Sequence, residues 1–293
     1  MLQSPAFLLL ATGALLGLNF PLGKIAVAAG VPGIVWATLI SAAAALVLGA
    51  VLAAERKSVK LDAQHMRYFA VTAVISYAVP NMLVLAAMPH LGSGLTAVFF
   101  TLSPILTVAL SALAGLRRPE PLELAGIGLG FTGALLVVAG RGEIGRPASF
   151  VWLAAAALVP LSLACGNVYR TLDWPKNANP VWLAVGSNTA SAVLLLAGAL
   201  ATTSLDAAMP IVAIPAAVLA QAAASAAMFF LFFRLQRVGG PVTLSQIGAV
   251  AAGVGVCCGA VFLGERYPVI VWAGVGVIAA GLTLTAIARS KAG

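Results

Sequence analysis

The chain has 293 residues, of which 62% are hydrophobic and only 8% charged, with a mean hydropathy of +1.08. Soluble domains carry about 25% charged residues, so a water-soluble globule and a soluble catalytic domain are both excluded. The net charge of +8 is read from its distribution along the chain, which makes it topological rather than a nucleic-acid footprint.

A helix that spans a bilayer needs about 20 consecutive apolar residues. Runs of that length cover 6–28, 33–53, 67–87, 93–115, 122–140, 150–170, 181–201, 211–233, 241–263 and 269–288. They are apolar on both residue parities, which excludes the alternating strands of a lipid-spanning barrel. The pattern predicts an all-α polytopic membrane protein with ten transmembrane helices, whose longest polar connection is 54–66.

In the first span, Asn19, Pro21 and Lys24 interrupt an oily run. An amide unpaired in hydrocarbon costs several kcal/mol, so Asn19 must meet another helix, a wet cavity or a substrate. Pro21 removes a backbone donor and can bend the helix. Lys24 falls near the far interface, where a lysine snorkels. Met1 to Pro5 carry no basic residue and the run is long, so Ala26-Val27-Ala28 is not expected to be a signal cleavage site.

The third span places Tyr77 and Asn81 on one face beside Pro80, and the fourth carries a polar stripe of Thr96, Phe100, Ser103, Thr107 and Ser111. The fifth and tenth are glycine-rich and shorter, suited to a scaffold or a dimer surface. Gly128 to Gly133 and Gly140 to Gly145 both satisfy GxGxxG, but neither follows a strand and opens a crossover helix, as a dinucleotide site requires. Gly126 with Gly130, and Gly255 with Gly259, fit close helix packing instead. Asn167 lies in the sixth span, Gln221, Ser225 and Met228 share a face of the eighth, and Pro241, Thr243 and Gln246 open the ninth.

Away from the span ends there is no Asp or Glu, which argues against a buried-acid proton relay and suits gradient-driven movement of a solute with little net charge. Cys165, Cys257 and Cys258 all lie in spans with no CxxC and no histidine near, so neither a disulfide framework nor a metal site is expected. No Walker A pattern is present, and no cofactor is expected. An intramembrane enzyme would need a nucleophile with its base, or a metal cluster, at membrane depth, and the spans offer neither.

Arg56, Lys57, Lys60, Arg67, Arg117, Arg118, Arg170, Lys176, Arg234, Arg237, Arg289 and Lys291 fall on the side of the N-terminus, leaving only Lys24, Arg141, Arg146 and Arg266. By the positive-inside rule both termini are cytoplasmic. One constant offset lays Ala125-Gly126-Ile127-Gly128 on Ala273-Gly274-Val275-Gly276, and also pairs Gly133 with Gly281, Arg118 with Arg266, Gly92 with Gly240 and Asn19 with Asn167. The chain therefore divides into repeats at 1–148 and 149–293. Five spans per repeat is odd, so the second repeat enters the membrane inverted, an architecture that recurs in secondary transporters.

Leu16-Gly17-Leu18-Asn19-Phe20-Pro21-Leu22-Gly23-Lys24 resembles the first helix of EamA-type members of the drug/metabolite transporter superfamily, with Leu16 where those proteins commonly have Trp. His90-Leu91-Gly92-Ser93-Gly94-Leu95-Thr96 through Ser103-Pro104-Ile105 resembles that family's third-to-fourth helix passage. Phe262-Leu263-Gly264-Glu265-Arg266 resembles its signature before the last helix, while Gly115-Leu116-Arg117-Arg118 lacks the glutamate. The resemblance implies export or exchange of small metabolites by alternating access through a central cavity. Its closest likeness is to bacterial exporters of amino acids, including aromatic ones, hence an inner-membrane location. Asn19, Tyr77, Asn81, Thr96, Phe100, Ser103, Asn167, Gln221, Ser225, Thr243 and Gln246 are the candidate cavity residues, with interhelical glue as the alternative for each. A multidrug or other metabolite carrier, and a non-transporting receptor or structural protein, remain open, as do monomer and homodimer.

Overall fold

The computed structural model describes residues 4–56, 61–83, 87, 90, 99, 102–116, 120–140, 150–264 and 266–292. Everything regular in it is helical. Helix α1 (Pro5–Ala28) starts at a Pro and is capped by Ser4, whose hydroxyl accepts from the Phe7 N–H. Pro21 is buried and the helix continues through it, while Lys24 is exposed near its end. Helix α2 (Gly33–Ala54) follows after a short turn.

Helix α3 (Ala63–Ala73) begins four residues before the expected start at 67. The reason is Asp62, whose carboxylate accepts from the His65 N–H at 2.9 Å and supplies an N-cap inside what composition marks as a polar loop. α3 then opens into a π-helical turn, Val74–Ala78, which periodicity does not reveal. The wider turn frees the Ile75 carbonyl to accept from the Ser162 hydroxyl at 2.7 Å. Such turns cluster at functional sites, and this one carries Ser76 and Tyr77.

Helices α4 (Ser103–Leu113), α5 (Pro121–Gly140), α6 (Phe150–Leu172) and α7 (Pro180–Thr202) follow, then a 3-10 segment, Leu205–Ala213. Helix α8 (Pro215–Ser245) replaces the expected span 211–233, starting later because Pro215 suits a first turn, and running on through 245. The expected break falls inside it at Gly240, whose φ of 68° and ψ of −176° only glycine adopts readily, directly before Pro241. The expected ninth span, 241–263, is thus split at a turn on Gln246, and α9 covers Ile247–Leu263. Helix α10 (Val269–Ala292) ends the chain. Among the described residues six helices are long and apolar enough to cross a membrane, namely α1, α2, α5, α6, α7 and α8, while α4, α9 and the apolar part of α10 are shorter.

The pairing of the helices is set by small residues. Gly13 and Gly17 on α1 face Val250 and Val254 on α9, so the two helices run parallel. Ser41 on α2 meets Ser191 on α7 at 3.2 Å. Along the antiparallel α5 and α10, Gly126 lies against Gly281 and Gly133 against Gly274. A Cβ on Gly133 would stand 2.6 Å from the Gly274 carbonyl oxygen, and one on Gly281 would stand 2.6 Å from that of Gly126. Only backbones without side chains approach this closely, and dispersion at such contacts drives association in lipid. The glycine face on α5 is thus built on Gly126 and Gly133, with the Gly130 backbone beside Gly281. The largest buried cluster joins α1, α3, α7 and α8 through Leu8, Tyr68, Phe69, Leu183, Phe233 and Leu235.

Candidate substrate-binding site

Among the described residues two polar clusters interrupt the apolar interior, and each holds one of the asparagines that the sequence offset aligns, Asn19 and Asn167. On α6, Asn167 and Arg170 are three residues apart and therefore share a face. The Arg170 guanidinium donates to Asn167 Oδ1 at 2.6 Å, to Gln236 Oε1 on α8 at 3.4 Å and to the Ser76 hydroxyl on the π-turn. Gln236 in turn donates to the Thr171 hydroxyl at 2.6 Å and to the Asn167 carbonyl at 3.2 Å, while Asn167 donates to the Thr107 hydroxyl of α4 at 3.3 Å. Helices α6 and α8 and the π-turn that follows α3 therefore meet at one charged side chain, only 2% exposed, and α4 joins them through Thr107 and Asn167.

An aromatic wall adjoins this cluster. The guanidinium lies 5.0 Å from the centre of the Phe232 ring, Phe232 is 6.0 Å from Phe229, and Phe229 is 5.6 Å edge-on from Tyr77. The ring face supports the cation through its quadrupole. Tyr68 stacks on Tyr169 at 6.0 Å, and Tyr77 directly follows Ser76, whose hydroxyl accepts from Arg170. The hydroxyls of Tyr68 and Tyr77 are buried without a hydrogen-bond partner among the described residues, as are those of Thr72 and Ser111.

The second cluster ties α1 to α8. Gln221 donates to Asn19 Oδ1 at 2.7 Å and lies 2.8 Å from the Ser225 hydroxyl, which itself donates to the Gln221 carbonyl at 2.7 Å. The Gln221 carbonyl oxygen of the side chain has no partner among the described residues. One turn away from both Asn19 and Gln221, Leu22, Ile25, Ala217 and Ala220 line an apolar cleft of about 400 Å³. Among the described residues, the bonds of this cluster join neutral side chains.

The remaining expected residues divide clearly. Ser103, with Thr107 and Ser111, is buried on one face of α4, as the stripe predicts. Asn81 spends its amide on the Tyr77 carbonyl at 2.7 Å and Thr243 its hydroxyl on the Gly239 carbonyl, both inside their own helices. Gln246 is buried at the turn between α8 and α9, and its amide nitrogen has no partner among the described residues. Thr96 and Phe100 lie outside the described residues. Arg170, Ser76 and Gln236 are the residues that sequence reasoning missed. The usable signal was the three-residue spacing of Asn167 and Arg170.

Outside the spans, Asp173 joins the end of α6 to the start of α3. Arg67 Nε donates to its carboxylate at 3.2 Å, a second Arg67 nitrogen pairs with its other oxygen, and the Tyr169 hydroxyl donates at 2.6 Å. Partial burial pushes this carboxyl up, but the bonds from Arg67 and Tyr169 outweigh it and hold the pKa below its ordinary value. Asp62 is also lowered, first by the backbone bond from His65 and then by its side chain. Among the described residues no group of three metal-ligating side chains is present.

Comparison with known proteins places this arrangement. One solved crystal structure superposes with a TM-score of 0.77 at 16% identity, covering 97% of this chain and 98% of the other. At that identity the likeness is one of fold. A comparison with curated proteins returned no match. Residues 3–139 match the EamA-like transporter family. Through that match the first part of the chain is similar to the EamA-like transporter family, a family of membrane transporters, and six of the described helices are long and apolar enough to cross a membrane.

Proposed function

We propose that the protein is a secondary transporter that exports or exchanges neutral amino acids, aromatic ones above all, by alternating access. The observation that carries this reading is the Arg170 cluster with its aromatic wall, in which α3, α4, α6 and α8 present amides, hydroxyls and ring faces to a common interior. Such a mixture suits a small zwitterion with an apolar side chain better than a polyanion. Asn167 and Tyr77 line the binding region in this reading, while the Asn19, Gln221 and Ser225 cluster holds α1 to α8.

Alternating access needs two packings of similar energy, which inverted repeats at 1–148 and 149–293 supply. The reciprocal glycine contacts support that division. Gly126 meets the repeat partner of Gly133, and Gly133 meets the repeat partner of Gly126. A self-complementary contact of this kind is what a two-fold axis produces. The location proposed is the bacterial inner membrane, with both termini cytoplasmic from the placement of Lys and Arg.

Counterflow in proteoliposomes loaded with unlabelled amino acids tests the function. Saturable accumulation of labelled phenylalanine or another neutral amino acid, without ATP, is the expected result. Transport of lipophilic cations in preference to any amino acid would replace the reading with a multidrug carrier. Movement of no solute at all would leave a receptor or structural role.

A further inference from the structure

The chain has eight Asp and Glu residues in total, and among the described residues none pairs with Arg170. Asp173, one turn further along α6, spends its carboxylate on Arg67 and Tyr169. Among the described residues Arg170 is therefore a buried cation solvated by neutral acceptors, namely Asn167, Gln236 and Ser76. A guanidinium offers five N–H donors, and these bonds leave donors over. Burying a charge without a counter-charge is costly, and neutral hydrogen bonds offset only part of it. For helix-to-helix adhesion alone, a neutral amide would do the same at lower cost, as Gln221 does between α1 and α8.

The surroundings have the donor character of an anion site. Tyr77 follows Ser76, which accepts from Arg170, Tyr68 stacks on Tyr169, which precedes Arg170, and both tyrosine hydroxyls lack a partner among the described residues. A buried hydroxyl left unpaired is costly, and an incoming acceptor would recover that cost. A planar carboxylate matches a guanidinium fork in shape and charge, and the remainder of such a molecule would lie against Phe229 and Phe232.

We propose that Arg170 anchors the carboxylate of the transported molecule, with the hydroxyls of Tyr68 and Tyr77 donating to the same group. This deepens the amino-acid reading and rests on it only for the rest of the molecule's identity. The requirement for a carboxylate stands on the Arg170 cluster itself.

The test uses the purified full-length chain and three probes that differ in one group each: L-phenylalanine, 3-phenylpropionate, which lacks the amine, and 2-phenylethylamine, which lacks the carboxylate. The proteinogenic amino acids and their decarboxylated amines extend the set. Thermal melting against probe concentration gives each apparent Kd. Carboxylate-bearing probes are expected to bind at least tenfold more tightly than the matching amines. Arg170→Gln is expected to abolish that preference, Arg170→Lys to retain part of it, and Tyr77→Phe to weaken carboxylate binding several-fold.

Should Arg170→Gln fail to fold, the matched probes on the unaltered protein and the Tyr77→Phe variant still decide. Equal affinity for acid and amine, an Arg170→Gln protein that keeps the preference, or no binding of any carboxylate would overturn the proposal. Phenylalanine counterflow with no Arg170-dependent preference sinks the proposal and leaves the amino-acid reading intact. Arg170-dependent binding of 3-phenylpropionate without transport of any amino acid does the opposite.

Discussion

Asn19 and Asn167 occupy equivalent positions in the two halves of the sequence, yet they sit in clusters of different character. Asn19 accepts from Gln221 and completes a neutral tie between two helices. Asn167 accepts from Arg170, donates to Thr107 and gives its backbone carbonyl to Gln236, so that it orients a charge where α6, α8 and the π-turn meet. The difference arises one turn further on, where the first half has Leu22 and the second has Arg170. The sequence offset aligns the two asparagines but not the residue that follows each by three, and a neutral tie and a charged cluster result.

The largest expected effect breaks the frame on which both clusters depend. Gly133→Leu would drive a side chain into the Gly274 and Ile278 backbone, and no folded protein should be recovered by size-exclusion chromatography. Gly133→Ala, a smaller overpacking of about 1–3 kcal/mol, should leave a folded protein that melts earlier. Normal melting of the leucine variant would show that the α5 and α10 seam does not hold the bundle together.

Next come changes that separate the two clusters. Gln236→Leu removes an acceptor from Arg170 and a donor from Thr171 and Asn167. Its KM in counterflow should rise about tenfold, the order expected for losing one hydrogen bond to a charged group. Gln221→Leu strands the Asn19 carbonyl and should lower stability by about 1 kcal/mol, in the range measured for interhelical bonds in membranes, with a smaller change in KM. The reverse order of KM effects would exchange the roles given to the clusters.

The smallest effect concerns the Arg67 and Asp173 pair. Its carboxyl is lowered in the folded protein, so the stability it adds is complete above the ordinary carboxylate pKa and is lost as pH falls through the folded value. Arg67 is largely exposed, so solvent screening keeps the contribution small. Asp173→Asn should lower the melting temperature slightly at pH 7 and flatten the acid limb of a melting-versus-pH profile. An unchanged acid limb would show that other carboxylates set it.

The frame was legible in the sequence because its determinants are local or periodic. Apolar runs mark the helices and glycines mark close packing, but that the fifth and tenth runs pack on each other, rather than serving as a scaffold or dimer surface, comes from the structure. The α4 stripe was legible too, since Ser103, Thr107 and Ser111 recur at helical spacing. Arg170 was not, because a basic residue near a span end reads as a topological charge, and its partners Ser76 and Gln236 lie 94 and 66 residues away. The π-turn was equally hidden, since a single widened turn leaves the apolar period intact. Gly240 was visible as a glycine before a proline, but not as a break inside one helical rod.

The most direct test of the division between the clusters is phenylalanine counterflow with Asn167→Ala and Asn19→Ala in matched liposomes, below the melting temperature of both variants. The account predicts a KM raised about tenfold for Asn167→Ala, and for Asn19→Ala a lowered melting temperature with a much smaller KM change. A larger KM effect from Asn19→Ala, or none from Asn167→Ala, would contradict it.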